Sequence, residues 1–117
     1  MTPPIRGPFR TDLRARAAYS EAAGIHRIVP AAVAVPADVA DLQALVRWAA
    51  AEGRPLVPRA AGSAMGGGNV GDGIVVDLGA MAPRTLVLEP PRRARVAAAV
   101  THGELSAAAA PHGLRLP

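Results

Sequence analysis

The 117-residue sequence contains no cysteine and no lysine, so all 13 of its basic residues are arginine. Without thiols, the chain can form no disulfide, thiolate zinc site, iron–sulfur cluster or cysteine nucleophile. Without a side-chain amine, it has no Schiff-base lysine and no Walker A phosphate loop, which requires lysine. No apolar run approaches the roughly 20 residues of a membrane-spanning helix. We therefore expect a cytoplasmic chain in a reducing compartment, with no membrane span.

Aromatic residues are also scarce, at 3% of the sequence. The formal net charge is +4 and the pI is about 11.3, a balance that can indicate nucleic-acid binding. However, the clustered arginines are not interleaved with aromatic side chains on which bases could stack. They are Arg6, Arg10, Arg14 and Arg16 near the N-terminus, and Arg92, Arg93 and Arg95 later. We favour a solvated surface with no nucleic-acid partner, and an Arg-rich nucleic-acid-binding domain stays as an alternative.

The first half of the chain predicts a strand–helix–strand unit. Residues 28–35 form an apolar run typical of a short buried strand. Asp38 then places a carboxylate at the N-terminus of a helix, and Gly53 stands where a C-terminal glycine cap belongs. The apolar stripe of this helix consists of Val39, Leu42, Leu45, Val46 and Ala49. Residues 55–58 predict a second strand, which the crossover makes parallel to the first.

The second half predicts several short strands and one more helix. Apolar runs rich in β-branched residues predict strands at 74–78, 86–88 and 94–100, with Arg92 and Arg93 in a hairpin turn between the last two. Thr101 and Glu104 have the spacing of a capping box. The helix that they begin carries Leu105, Ala108, Ala109 and His112 on one side and ends at Gly113.

These elements predict an α+β fold, in which a βαβ unit is followed by a small mixed sheet. The length suits one small domain. We expect residues 1–18 to form an N-terminal tail and residues 19–117 to form the domain. No further element follows to close the sheet, so we expect the domain to be incomplete at its C-terminus.

Residues 59–73 form a glycine-rich segment that no regular element could accommodate. Gly66 to Gly71 match the dinucleotide fingerprint G-x-G-x-x-G, but that fingerprint requires a helix directly afterwards, and here a strand follows. Glycine-rich backbone can nevertheless bind an anion through successive N–H groups, and Gly62 would allow a phosphate to approach closely. Arg59 at the mouth of the loop could hold the loop or face a pyrophosphate. A mobile surface loop without function is the alternative.

The stretch from Pro58 to Val70 resembles the pyrophosphate loop of FAD-linked oxidases of the vanillyl-alcohol-oxidase superfamily. Residues 19–30 are similar to the segment that comes first in the family's domain, and residues 74–81 resemble the strand and turn that follow the loop. Residues 92–114 are similar to a stretch found in glycolate-oxidase and D-lactate-dehydrogenase flavin subunits. The resemblance covers most of the chain, in the right order and spacing.

This resemblance implies a PCMH-type FAD-binding domain, truncated before the family's second flavin-contacting loop and substrate domain. By position, the residues that would line the pyrophosphate are Arg59, Ala60, Ala61, Gly62, Ser63 and Ala64, and those along the ribityl chain are Gly67, Gly68 and Asn69. Relatives with covalent flavin have a histidine where Ser63 stands, so FAD is expected to bind non-covalently. The resemblance implies oxidation of a 2-hydroxy acid in the intact enzyme, with an electron-acceptor subunit left open.

Several positions depart from the family. Ala60, Ala64 and Ala99 stand where glycine is usual, and each would cost roughly 1–2 kcal/mol if its backbone were left-handed. No catalytic residue and no metal ligand are named, since the scattered His26, His102 and His112 suggest no metal site. We expect the chain alone to be inactive. A catalytically inactive remnant that binds a nucleotide or phosphate is a further alternative.

Overall fold

The computed structural model describes residues 2–117 as two small sheets with three α-helices. In chain order, the elements are β1 (Phe9–Arg10), α1 (Leu13–Ala18), β2 (Ala32–Ala34), α2 (Val39–Ala51), β3 (Leu56–Arg59), β4 (Ile74–Asp77), β5 (Leu86–Glu89), β6 (Arg93–Val96) and α3 (His102–Ala109), which a 3₁₀ turn at Ala110–His112 extends. The predicted α+β class is confirmed.

The larger sheet has the strand order β1-β2-β4-β3. Strands β2 and β3 both run parallel to β4, which lies between them. The strand–helix–strand unit made by β2, α2 and β3 is therefore parallel, as the sequence predicts. Because the three parallel strands share one direction, their carboxyl ends meet at the same edge of the sheet. The segments that leave β2, β3 and β4 all begin at that edge.

Helix α2 forms where the sequence places its start and stop signals. The Asp38 side chain accepts a hydrogen bond from the Asp41 N–H at 3.0 Å, and Gly53 adopts φ +62° just beyond the helix. Within the predicted apolar stripe of α2, Leu45 is 0% exposed and packs against the sheet. Val39 and Val46 are instead 56% and 48% exposed, so the stripe that reaches the core is narrower than predicted. The buried core cluster consists of Ala32, Ala34, Leu45, Ile74 and Val76.

The first strand is shorter than its apolar run predicts. Strand β2 covers only Ala32–Ala34, and Ile28 and Val29 are 41% and 40% exposed. Pro30 has no N–H for a sheet ladder, and Ala31 donates its N–H to the carbonyls of residues 72 and 73 instead. Strand pairing therefore begins two residues after the proline, and the prediction of a strand from residue 28 is wrong.

The second sheet is the antiparallel hairpin β5–β6. Its turn lies at residues 90–92, so Arg93, predicted in the turn, belongs to β6 and pairs with Glu89. Strand β6 ends at Val96, four residues before the predicted end. After the hairpin, the capping box of α3 is present as predicted, since Thr101 and Glu104 exchange hydrogen bonds at 2.6 Å and 3.2 Å.

The N-terminal residues pack on the larger sheet. Strand β1 pairs antiparallel with β2, and Phe9 stacks edge-on against Trp48 of α2, with 6.0 Å between ring centroids. The buried Asp41 accepts backbone N–H bonds from Arg6, Gly7 and Ala37. Burial alone would raise the pKa of Asp41, but these bonds and the Arg6 guanidinium outweigh it and hold the pKa well below its usual value. The domain boundary after residue 18 stays a prediction.

Candidate functional site

The glycine-rich loop, residues 59–73, leaves the carboxyl end of β3 and returns to begin β4. In parallel sheets, ligands bind beyond the carboxyl ends of the strands, so the loop lies where such a site is expected. The strand after the loop also excludes a dinucleotide site of the helix-terminus type, as the sequence predicts.

The backbone of this loop is rich in free donors. Within the described residues, none of the N–H groups of residues 60–69 donates a hydrogen bond to another protein atom. Because most of this loop is exposed, these donors can bind water, and successive free N–H groups can equally bind an anion. The side chains add little bulk, since most of these residues are alanine or glycine and most of them are exposed. The loop therefore fits a phosphate group.

The glycines of the loop differ in the space around them. A Cβ at Gly66 or Gly68 would meet no atom within 4 Å, so both face open space. Gly62 and Gly67 instead have φ of +72° and +83°, where a side chain is strained. No non-glycine residue among residues 2–117 has positive φ. The expected strain at Ala60, Ala64 and Ala99 is therefore absent, because none of these alanines needs a left-handed backbone.

A segment before β2 lies against the loop, and we call residues 19–27 the strap. The Ala23 N–H donates to the Gly62 carbonyl at 3.2 Å. A Cβ on Gly24 would lie 2.0 Å from the Met65 carbonyl oxygen, so backbone meets backbone there. The His26 ring lies against Gly67, where a Cβ would come within 2.8 Å of it. The strap thus supports one side of the loop along its length.

Arg59 points toward the strap. Its Nη1 donates to the Glu21 carbonyl at 2.7 Å and approaches the Tyr19 carbonyl at 3.5 Å. The guanidinium carbon lies 5.3 Å from the centre of the Tyr19 ring, within cation–π range. Of the two roles that the sequence allows for Arg59, the structure displays contacts that hold the loop.

Tyr19 links the strap to the end of β4. Its hydroxyl donates to Asp77 Oδ2 at 2.5 Å, and Asp77 Oδ1 accepts the Gly79 N–H at 2.8 Å. The hydrogen bond to Asp77, together with burial, raises the pKa of Tyr19 to about 12. The sequence prediction did not include Tyr19 or Asp77. A carboxylate ending an apolar strand is the signal that could have found Asp77.

Asn69 ends the row of residues that the resemblance assigns to the site. It is 7% exposed, and its side-chain oxygen Oδ1 is buried with no hydrogen-bond partner among the described residues. A buried acceptor left without a donor is costly. A ligand hydroxyl or N–H group would satisfy it, so Asn69 also fits a polyol-bearing ligand.

One cavity lies away from the loop. It has a volume of about 390 Å³ and is lined mainly by apolar residues from the segment after β4 and from the hairpin. Leu78, Met81 and Ala97 are among them, and Arg95 and Thr85 are its polar members. None of residues 59–69 lines it. The loop is thus an open surface and not a closed pocket.

The remaining sequence predictions concern metals and membranes. His102 begins α3 and His112 lies in the 3₁₀ turn, so neither accompanies His26 at the loop. Between residues 2 and 117, no group of three or more His, Asp or Glu side chains is placed to hold a metal ion. In the same part of the chain, no helix has the length and apolar character needed to cross a bilayer.

Comparison with solved structures gives a match at the level of fold and sequence. The chain is similar to 6-hydroxy-D-nicotine oxidase from Arthrobacter nicotinovorans, with a TM-score of 0.74 and 28% sequence identity. The match covers 93% of this chain and 24% of the oxidase, so the chain spans about a quarter of that enzyme's length. No curated protein matches the sequence.

In the comparison with family profiles, residues 30–117 match the FAD binding domain family. The matched region includes the glycine-rich loop with its unpaired backbone donors. It begins just before β2 and takes in every later element. The resemblance to the FAD-binding domain of FAD-linked oxidases is confirmed, and the chain belongs to the FAD binding domain family.

Proposed function

We propose that this chain is the FAD-binding portion of a flavin-dependent oxidoreductase that acts on CH–OH groups, with the FAD pyrophosphate held by the glycine-rich loop. The observation that carries the proposal is the row of unpaired N–H groups at residues 60–69, within the region that matches the family. Backbone donors without blocking side chains are suited to a doubly charged pyrophosphate.

In this proposal, the residues facing the pyrophosphate are Ala60, Ala61, Gly62, Ser63 and Ala64, and those along the ribityl chain are Gly67, Gly68 and Asn69. Gly68 supports the assignment because its outer side faces open space. Asn69 supports it because its buried Oδ1 lacks a donor, which a ribityl hydroxyl would supply.

We propose non-covalent binding of FAD. Residue 63 is a serine, exposed at the tip of the loop, where relatives with covalent flavin have histidine. His26 lies beside Gly67 but belongs to the strap and not to the loop. Denaturation in acid followed by filtration would release all of the flavin from a non-covalent complex.

We propose 2-hydroxy acids as the substrate class of the intact enzyme. The support is the similarity of residues 92–114 to flavin subunits of that class, whereas the solved relative is an oxidase of 6-hydroxy-D-nicotine. Bound flavin supplies the acceptor for the substrate's hydride, and the protein supplies binding and orientation. We assign no catalytic residue within this chain and propose that it has no turnover alone.

The test is a titration of the purified chain with FAD, followed by flavin fluorescence. We expect weak, saturable binding, because only one of the family's two flavin-contacting loops is present. ADP should compete, since it carries the same pyrophosphate. Dye reduction with lactate or glycolate should stay at the free-flavin background.

Other outcomes would change the proposal. Binding of ADP without any binding of FAD would indicate the inactive nucleotide-binding remnant. Absence of both would contradict a phosphate site at the loop. Binding of DNA with a steep dependence on salt would favour the Arg-rich nucleic-acid-binding alternative.

A further inference from the structure

Arg59 is the only basic residue in the glycine-rich loop, and its position suggests two different roles. As a permanent cation beside an anion site, it could contact phosphate directly. As a planar group with several N–H donors, it could instead fix the backbone around it. The two roles predict different directions for the side chain.

The side chain is directed into the protein. Its Nη1 donates to the Glu21 carbonyl at 2.7 Å, and its guanidinium lies over the Tyr19 ring at 5.3 Å. Tyr19 is itself held by Asp77, the residue paired with Arg59 across β3 and β4. The half-buried guanidinium therefore lies against a strap that is fastened to the same sheet.

Gly62 contacts the Arg59 guanidinium from the side of the loop. A Cβ at Gly62 would lie 2.6 Å from Arg59 Nη2, 3.0 Å from Cζ and 3.1 Å from Nε. Three guanidinium atoms thus lie at contact distance from one glycine, so the flat group packs against the loop backbone. On its other side, Gly62 accepts the Ala23 N–H from the strap at 3.2 Å.

We propose that Arg59 is a positioning residue that joins the strap to the glycine-rich loop, and that it does not contact the phosphates of the cofactor. The inference rests on the proposed function of the loop as a pyrophosphate site. The part of Arg59 that matters is its planar, multi-donor shape. Lysine would keep the charge, but it could not span Glu21, Tyr19 and Gly62 together.

The first experiment needs no ligand. The Ala23 N–H donates to the Gly62 carbonyl and so connects the strap to the loop. Its rate of hydrogen exchange with solvent, followed by NMR, measures how stable this connection is. In Arg59→Lys and Arg59→Met, we expect this exchange to be about tenfold faster, the effect of losing a hydrogen bond to a charged group.

The matched controls are Arg54→Lys and Arg54→Met, since Arg54 is exposed just before β3 and its side chain has no hydrogen bond among the described residues. Exchange at the wild-type rate in Arg59→Lys would overturn the proposal.

The second experiment measures FAD affinity at several salt concentrations. A positioning role predicts that Arg59→Lys weakens binding as much as Arg59→Met, by about tenfold, with an unchanged dependence on salt. A phosphate contact predicts that Arg59→Lys keeps nearly wild-type affinity while Arg59→Met loses salt dependence, and this result would also overturn the proposal.

The outcomes separate the two proposals. If the wild-type chain binds no FAD, the proposed function fails, and the exchange of the Ala23 N–H still decides the role of Arg59. If Arg59→Met does not fold by far-UV circular dichroism, Arg59→Lys with its Arg54→Lys control decides it.

Discussion

The Tyr19 hydroxyl donates a 2.5 Å hydrogen bond to the Asp77 carboxylate, joining two residues that are 58 positions apart. One lies in the strap that supports the glycine-rich loop, and the other ends the central strand β4. The bond therefore fixes the strap to a largely buried inner strand of the sheet. The same carboxylate accepts the Gly79 N–H, which holds the turn after β4.

The first prediction concerns the ionisation of this phenol. The bond to Asp77 raises the pKa of Tyr19 to about 12 from an ordinary 10.0. Its contribution to stability is fully present below pH 10 and is lost as the pH rises toward 12. Because Tyr19 is the only tyrosine, tyrosinate absorbance reports it alone. We expect a midpoint well above 10 in the wild type and a lower midpoint in Asp77→Asn. If the tyrosinate titration had the same midpoint in the folded wild type and the folded Asp77→Asn variant, the hydrogen bond to Asp77 would not be what raises the pKa of Tyr19.

The second prediction concerns acid stability. The Thr101 N–H and hydroxyl, with the Arg84 guanidinium, lower the pKa of Glu104 to about 2. A lowered pKa stabilises the fold above the ordinary value of 4.5 and loses this effect as the pH falls from 4.5 toward 2. Thermal unfolding followed by circular dichroism should show Glu104→Gln less stable than the wild type at pH 7, with the gap closing near pH 2.

A control accompanies this comparison. Glu52 ends α2, and its carboxylate has no hydrogen-bond partner among residues 2–117. Glu52→Gln should differ little from the wild type at either pH. A gap between Glu104→Gln and the wild type that persists unchanged at low pH would show that shape, and not the carboxylate charge, stabilises the capping box.

Local signals in the sequence are sufficient to predict α2 and α3, whereas α1 (Leu13–Ala18) lies in the segment that the sequence predicts to be an N-terminal tail. Asp38 and Gly53 act within a few residues of the ends of α2, and both lie where the sequence predicts them. Of the predicted apolar stripe, Leu45 and Ala49 are buried, whereas Val39 and Val46 are exposed.

The strand ends are less well predicted because pairing partners far along the chain decide them. Residues 28–31 have the composition of a strand, yet they have no strand partner. The Ile28 N–H donates to the Ser20 carbonyl, and the Ala31 N–H donates to the carbonyls of residues 72 and 73.

The candidate site, too, has features that the sequence predicts and features that depend on the fold. The glycine content of the loop, and with it the prediction that the loop binds a phosphate, follows from composition. The direction of Arg59 does not, because it depends on where Tyr19 and Glu21 are placed by the fold. The sequence also does not reveal that the missing side chain of Gly62 leaves room for the Arg59 guanidinium, and the prediction that Gly62 lets a phosphate approach closely stays a prediction.

The third prediction concerns the small core. Leu45 is fully buried at the centre of the contact between α2 and the sheet, and the neighbouring Val46 is 48% exposed. Leu45→Ala should lower the free energy of unfolding by about 2–5 kcal/mol, because it leaves a cavity that the short strands cannot fill. Val46→Ala should change it by less than about 0.5 kcal/mol. Urea unfolding of both variants would measure this, and a small effect at Leu45 would show that the core lies elsewhere.

The last prediction separates ligand contact from loop support, using two glycines of the same loop. A side chain at Gly68 would enter open space, so Gly68→Val should fold normally and obstruct only an approaching ligand. A side chain at Gly62 would collide with Arg59 and meet a left-handed backbone, which costs about 1–2 kcal/mol. We expect Gly68→Val to weaken FAD binding at least about tenfold, or 1.4 kcal/mol, with an unchanged melting temperature. Gly62→Ala should lower both the affinity for FAD and the melting temperature.

Gly103→Val, in α3 and away from the loop, is the matched control and should change neither the affinity nor the melting temperature. Wild-type affinity for FAD in Gly68→Val would mean that the ligand does not lie on this side of the loop.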